Sequence, residues 1–162
     1  MIIRTANIKD ISSIQEIYNE AIRNTNATFD TKEKSIDEIK DWFNSHGLKN
    51  PIIIAKEKDN IIGWASLNKY DEKKAYSDTT ELSLYVKSDF QSKGIGKKLM
   101  ENILSEGKKA GVHVVLARVT AGNKISSHLH KSFGFEKIGT LKEVGKKFGK
   151  ILNVHIYEKI LK

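Results

Sequence analysis

The chain has 162 residues and no cysteine, which suits one domain with a sizeable core and excludes disulfides, thiolate metal sites and a thiol nucleophile. Its formal charge of +8 comes from 28 Lys and Arg against 20 Asp and Glu and points to an acidic ligand or a solvated basic surface. Aromatic residues are few and not interleaved with the basic ones, so nucleic acid is not expected as a partner. The opening Met1 to Asn7 turns polar too early for a signal peptide. No apolar run nears the roughly 18 residues of a membrane span, and a soluble, cytoplasmic protein without a membrane partner is expected.

Ile2 to Arg4 reads as a short strand, and Asn7 as the cap of a helix whose Ile8, Ile11, Ile14, Ile17, Ala21 and Ile22 form one stripe. After a polar stretch, Ser35 to Glu38 has capping-box spacing, and Ile36, Ile39, Trp42 and Phe43 give a second helix its inward face. Gly47 and Pro51 end it. Ile52 to Lys56 and Ile61 to Leu67 make a hairpin about Lys58-Asp59-Asn60. A loop with Tyr70 and Tyr76 leads to a strand over Thr79 to Val86, a helix over Ile95 to Ala110 closed by Gly111, and a strand over Val112 to Val119. Strand, helix and strand in that order predict a parallel pair with a right-handed crossover. A shorter helix over Lys124 to Ser132 follows, then Glu136 to Thr140 and a last alternating strand over Lys150 to Ile160. The whole of 1–162 reads as a single α/β domain with a mixed sheet and helices on both faces.

The most informative segment joins the Thr79 to Val86 strand to the long helix. In Gln91-Ser92-Lys93-Gly94-Ile95-Gly96-Lys97 the two glycines let the main chain approach a phosphate, while the helix dipole and unpaired first-turn N–H groups face it. Lys93, Lys97 and Lys98 add charge. The spacing is neither a Walker loop nor a dinucleotide fingerprint.

This loop resembles the Gln/Arg-x-x-Gly-x-Gly/Ala pyrophosphate loop of the GNAT acyltransferase superfamily. Asn123-x-x-Ser126-x-x-Leu129-His130-x-x-x-Gly134-Phe135 is similar to a second segment of those proteins, with His130 at their usual tyrosine position. Thr25 to Asp30, Ala75-Tyr76, Thr80-Glu81 and Gly139 to Gly149 resemble, in that order, segments of the phosphinothricin and methionine sulfoximine acetyltransferase group. The likeness runs over nearly the whole chain. It implies a mostly antiparallel mixed sheet with a central parallel pair, acetyl-CoA as cosubstrate, a small amino-acid-like amine as acceptor, and a homodimer. The last has one physical motive in the sequence, an edge or apolar face left by the final strand. Two departures concern the acceptor: Lys73 and Lys74 stand where relatives carry arginine before the Ala-Tyr pair, and the tryptophan usual after Phe148 is missing.

Acetyl transfer to an amine needs an uncharged nitrogen, so a base or water relay must take a proton from the ammonium. By spacing alone Glu81 is an outward residue of a half-exposed strand; the resemblance makes it the base. By spacing alone His130 is a surface histidine; the resemblance makes it a proton donor to the departing thiolate. Asn123 reads as an N-cap, to which the resemblance adds contact with the pantetheine arm. Leu84, Tyr85 and Val86 read as core strand residues, and the resemblance has their main chain pair with pantetheine as an added strand. Phe29 and Tyr76 lie in segments resembling acceptor loops, and Lys73 or Lys74 is the cation for an acceptor carboxylate, against the plainer reading of solvated lysines. His128-x-His130 lacks a third ligand, so no metal is expected. With no cysteine to carry an acetyl group, transfer is expected to be direct. The alternatives are acetylation of a protein terminus, a lysine or a polyamine, and a non-catalytic acyl-CoA-binding module.

Overall fold

The computed structural model describes residues 1–162. Strand β1 (Ile2–Thr5) leads to Asn7, whose side chain accepts from Lys9 N while the Asp10 carboxylate accepts from Asn7 N. This capping box closes a 3-10 turn over Ile8–Asp10, and only then does the expected helix run as α1 (Ile11–Asn24). Asp10 is buried because Arg4 grips it at 2.7 and 2.9 Å, which holds its carboxyl below the usual carboxylate range. Helix α2 (Ile36–Asn44) starts where Ser35 Oγ accepts from Glu38 N.

Strands β2 (Ile52–Glu57) and β3 (Asn60–Lys69) form the expected hairpin. They are followed by β4 (Thr79–Val86), α3 (Ile95–Lys109), β5 (Val114–Thr120), α4 (Lys124–Ser132), β6 (Glu136–Lys147) and β7 (Lys150–Ile160). All seven strands join one sheet in the order β1-β2-β3-β4-β5-β7-β6, parallel only between β4 and β5. One element differs from the sequence reading: the segment beginning at Glu136 continues past Thr140 to Lys147 and pairs with β7 about a turn at Phe148 and Gly149. Two register shifts, between Lys137 and Gly139 and between Leu141 and Gly145, break its alternation and hid the strand.

The sheet buries a core on each face. On one, Leu99, Met100 and Ile103 of α3 pack on Ile53, Ala65, Leu82, Val115 and Ala117. On the other, Ile14 and Ile17 of α1 and Ile39 of α2 pack on Ile52, Ile54 and Trp64. Alternation along the strands divides these sets, so β4 turns its even residues toward α3 and its odd residues, Glu81, Ser83 and Tyr85, toward α1 and α2.

Candidate active site

Strands β4 and β5 pair at Thr79 with Val114, Thr80 with Val115 and Glu81 with Leu116, and then part. Each stays paired on its outer side, β4 with β3 as far as Val86 and β5 with β7 as far as Thr120. The result is a wedge in the sheet with Glu81 at its apex. Lys87 N donates to Ile62 O on the β3 side. By the two-residue alternation, the main-chain groups of Tyr85 also face β3, whereas those of Leu84 and Val86 face the wedge. Of the three residues expected to pair with pantetheine, Leu84 therefore turns both its backbone groups to the wedge and Val86 its N–H, while the Val86 carbonyl accepts from Gln91 Nε2. From Glu81 to Val86 the wedge edge is roughly 17 Å long at the usual strand rise.

The glycine loop closes the mouth of the wedge. The Glu20 carboxylate of α1 accepts from Ser88 N and Oγ, which fixes the approach to the loop, and Gln91 Nε2 donates to Val86 O. Ser92 and Gly94 adopt positive φ, 60° and 81°, and this turns successive N–H groups to one side. Gly94 begins α3 without a side-chain cap, and a Cβ there would meet nothing within 4 Å. Open space, uncapped N–H groups of Ile95, Gly96 and Lys97, and no acidic residue in the first turn suit a pyrophosphate. A Cβ at Gly96 would stand 3.5 Å from Leu129 and 3.8 Å from Leu84, at ordinary packing distance, so this glycine lies where α3 meets α4 and β4. Lys93 sits over the Phe90 ring at 5.2 Å.

At the apex, Arg118 donates from Nε and Nη2 to the Glu81 carboxylate at 3.0 to 3.2 Å. Sequence reading missed Arg118, since only the parallel register of Glu81 with Leu116 brings the two side chains together. Asn123 spends its Oδ1 as the cap of α4, accepting from Ser126 N at 3.2 Å, and its Nδ2 donors stay available. His130 is not the surface histidine of the plain reading. It is buried between Phe135 and Tyr157, with ring centroids at 5.2 and 5.8 Å. Nδ1 donates to Ser126 O at 2.7 Å, and burial lowers its pKa. A carbonyl only accepts, so the neutral ring carries its proton on Nδ1 and a lone pair on Nε2. In this state the donor role expected of it requires that Nε2 first take up a proton.

On the opposite face lies a cavity of about 270 Å³ walled by Ile14, Tyr18, Asp30, Lys34, Glu38, Ile39, Trp42, Trp64 and Ser83. Its size lies at the small end of ligand pockets. The Tyr18 hydroxyl donates to Asp30 and bonds Thr28 Oγ1. Burial first, and then neighbouring groups, raise the Tyr18 pKa and push that of Tyr85 up to about 12, so both stay neutral. Lys147 of β6 is buried and donates from Nζ to Thr28 O at 2.8 Å. Burial lowers its pKa. The Phe29 ring lies against Gly145. Loop 25–30 is thus pinned to the β6–β7 hairpin beside the cavity. Lys73, Lys74 and Tyr76 are exposed in a 3-10 turn and do not line it; its cation is Lys34.

Comparison with known proteins agrees with this geometry. The model of the acetyltransferase (GNAT) domain family matches residues 3–156. The L-amino acid N-acyltransferase MnaT of Escherichia coli is 34% identical, with 95% of this chain and 90% of that protein covered. The L-methionine sulfoximine/L-methionine sulfone acetyltransferase of Pseudomonas aeruginosa is 32% identical over 94% of this chain and 90% of its own. A phosphinothricin acetyltransferase from Sinorhizobium meliloti, crystallised with acetyl-CoA, superposes with a TM-score of 0.95 at 30% identity, over 99% of this chain and 88% of that one. No helix of the chain is long and apolar enough to cross a membrane. The chain belongs to the GNAT family and is an acetyl-CoA-dependent N-acetyltransferase.

Proposed function

We propose that the enzyme acetylates the α-amino group of a small amino-acid-like acceptor of the methionine sulfoximine or phosphinothricin type, by direct transfer within a ternary complex. One observation carries the reading: Glu81 stands at the apex of the wedge, with the free edge of β4 and the glycine loop leading to it from one side, and Ser83, two residues on along its own face of β4, walls a cavity of amino-acid size. The names of the similar proteins, with their amino-acid and methionine-derivative substrates, support the same class of acceptor.

Acetyl-CoA supplies the activated acyl group. The chain supplies position and a proton path. Uncapped N–H groups at Ser92 to Lys97 receive the pyrophosphate, and the main chain of Leu84 and Val86 with Asn123 Nδ2 aligns the pantetheine arm. Arg118 fixes the direction of the Glu81 carboxylate, whose remaining lone pairs take the ammonium proton directly or through water. Lys34 is the cation nearest the acceptor cavity, loosely paired to Asp30 at 3.5 Å and Glu38 at 3.9 Å, and so free to turn to an acceptor carboxylate. The exposed apolar side chains Ile138, Leu141, Val144, Phe148 and Ile151 on the β6–β7 hairpin support a homodimer formed at that sheet edge.

The test is acetyl-CoA consumption across amino-acid analogues, lysine peptides and polyamines. Turnover of methionine sulfone, methionine sulfoximine or phosphinothricin above the others is expected. Turnover of only peptides or polyamines would replace the acceptor class.

A further inference from the structure

Trp64 is 3% exposed, and its Nε1 is the one buried side-chain donor without a hydrogen-bond partner. Buried donors are nearly always paired, so this one needs an explanation. Trp64 lies in β3 opposite Tyr85 and walls the acceptor cavity. Around it stand the rings of Trp42 at 5.3 Å, Tyr85 at 5.2 Å and Tyr18 at 6.1 Å. The polar neighbours have other partners: Asp30 pairs with Tyr18 and Lys34, Glu38 with Lys34 at 3.9 Å, and Ser83 Oγ with Asn68 Nδ2. The cavity wall therefore sets an aromatic side of Tyr18, Trp42 and Trp64, with one unmet indole donor, against a polar side of Asp30, Lys34, Glu38 and Ser83.

We propose that Trp64 is a specificity-determining residue of the acceptor site: its Nε1–H donates to an oxo oxygen at the end of the acceptor side chain, and so selects oxidised sulfur or phosphorus over a thioether of equal length. The inference rests on the amino-acid acceptor reading. Glu81 and Ser83 lie on one face of β4, roughly 7 Å apart by the strand rise. An α-amine at Glu81 thus places the end of a methionine-length chain beside Ser83 and Trp64. The rings of Tyr18 and Trp42 clasp the methylenes, and the Trp64 indole N–H meets the oxygen. A thioether leaves that donor unpaired, which is the kind of mismatch that discriminates strongly.

Two measurements test this. In steady-state assays, kcat/KM for L-methionine sulfone over L-methionine should be high in the native enzyme and fall about tenfold or more in Trp64→Phe, mainly through the KM for the sulfone. In 15N-labelled native protein, which has two tryptophans, the Trp64 indole N–H resonance should move downfield on adding the sulfone and stay put with methionine. The second reading does not depend on how the variant folds. An unchanged ratio with a stationary resonance, in an enzyme that acetylates these amino acids, overturns the Trp64 assignment and leaves the acceptor reading standing. A shifted resonance without turnover of either amino acid keeps the oxo site and removes the acceptor reading. No turnover and no shift removes both.

Discussion

Arg118 holds both oxygens of Glu81 across the last paired rung between β4 and β5. Arg118 is largely exposed and Glu81 partly so, and exposed ion pairs add about 1 kcal/mol or less to stability. The pair therefore serves direction more than folding. Glu81→Gln should lower kcat about 100-fold, with partial recovery as rising pH supplies free amine. Arg118→Gln should lower kcat about tenfold and move Tm by less than about 4 °C. Steady-state kinetics with a verified acceptor and a thermal melt check both. A large loss of Tm with unchanged kcat would make the pair structural.

Phe29 on Gly145 is a second long-range constraint. A Cβ at Gly145 would stand 2.1 Å from Phe29 Cε2, so Gly145→Ala must move the ring and the acceptor loop with it. The acceptor KM should rise about tenfold or more while acetyl-CoA affinity holds. If the ring is the cause, adding Gly145→Ala to Phe29→Ala should do no further harm. Additive losses would place the effect elsewhere in the hairpin.

Gly94→Val joins two penalties, a branched side chain in the left-handed region at φ 81° and bulk in the open space before α3. Calorimetry on a folded variant should show no acetyl-CoA binding. Normal binding would move the cofactor site away from this loop.

His130 is held neutral by burial, with a pKa below its ordinary 6.5. In the unfolded chain it binds a proton more readily, so stability rises with pH between the folded value and 6.5. Its contribution is complete above 6.5 and is lost as pH falls below it. His155 has a lowered pKa too, so the comparison must be made with a variant that keeps it. From pH 7.5 to 5.5, native Tm should fall further than that of His130→Phe. Equal falls would mean the ring is charged or solvated in the native state.

Local signals were legible in the sequence. The period of Ile95, Leu99, Met100, Ile103 and Leu104 and the preceding glycine loop gave α3 within a residue of its end, and the helix between two apolar strands gave the parallel pair. What was not legible depends on distant pairings. Arg118 between Ala117 and Val119 reads as any outward strand residue until register sets it beside Glu81. The cavity draws Tyr18, Lys34, Trp42, Trp64 and Ser83 from separate elements, and no local spacing joins them. For His130, spacing suggested a surface ring, while the Ser126 carbonyl and two flanking aromatic rings that bury it come together only in the fold.

The most direct test is an initial-rate study varying acetyl-CoA and L-methionine sulfone together, with the product identified by mass spectrometry. Lines intersecting in double-reciprocal plots, with acetyl on the α-amine, are expected for direct transfer in a ternary complex. Parallel lines with an acetylated enzyme, or no acetylated amino acid at any concentration, would contradict it.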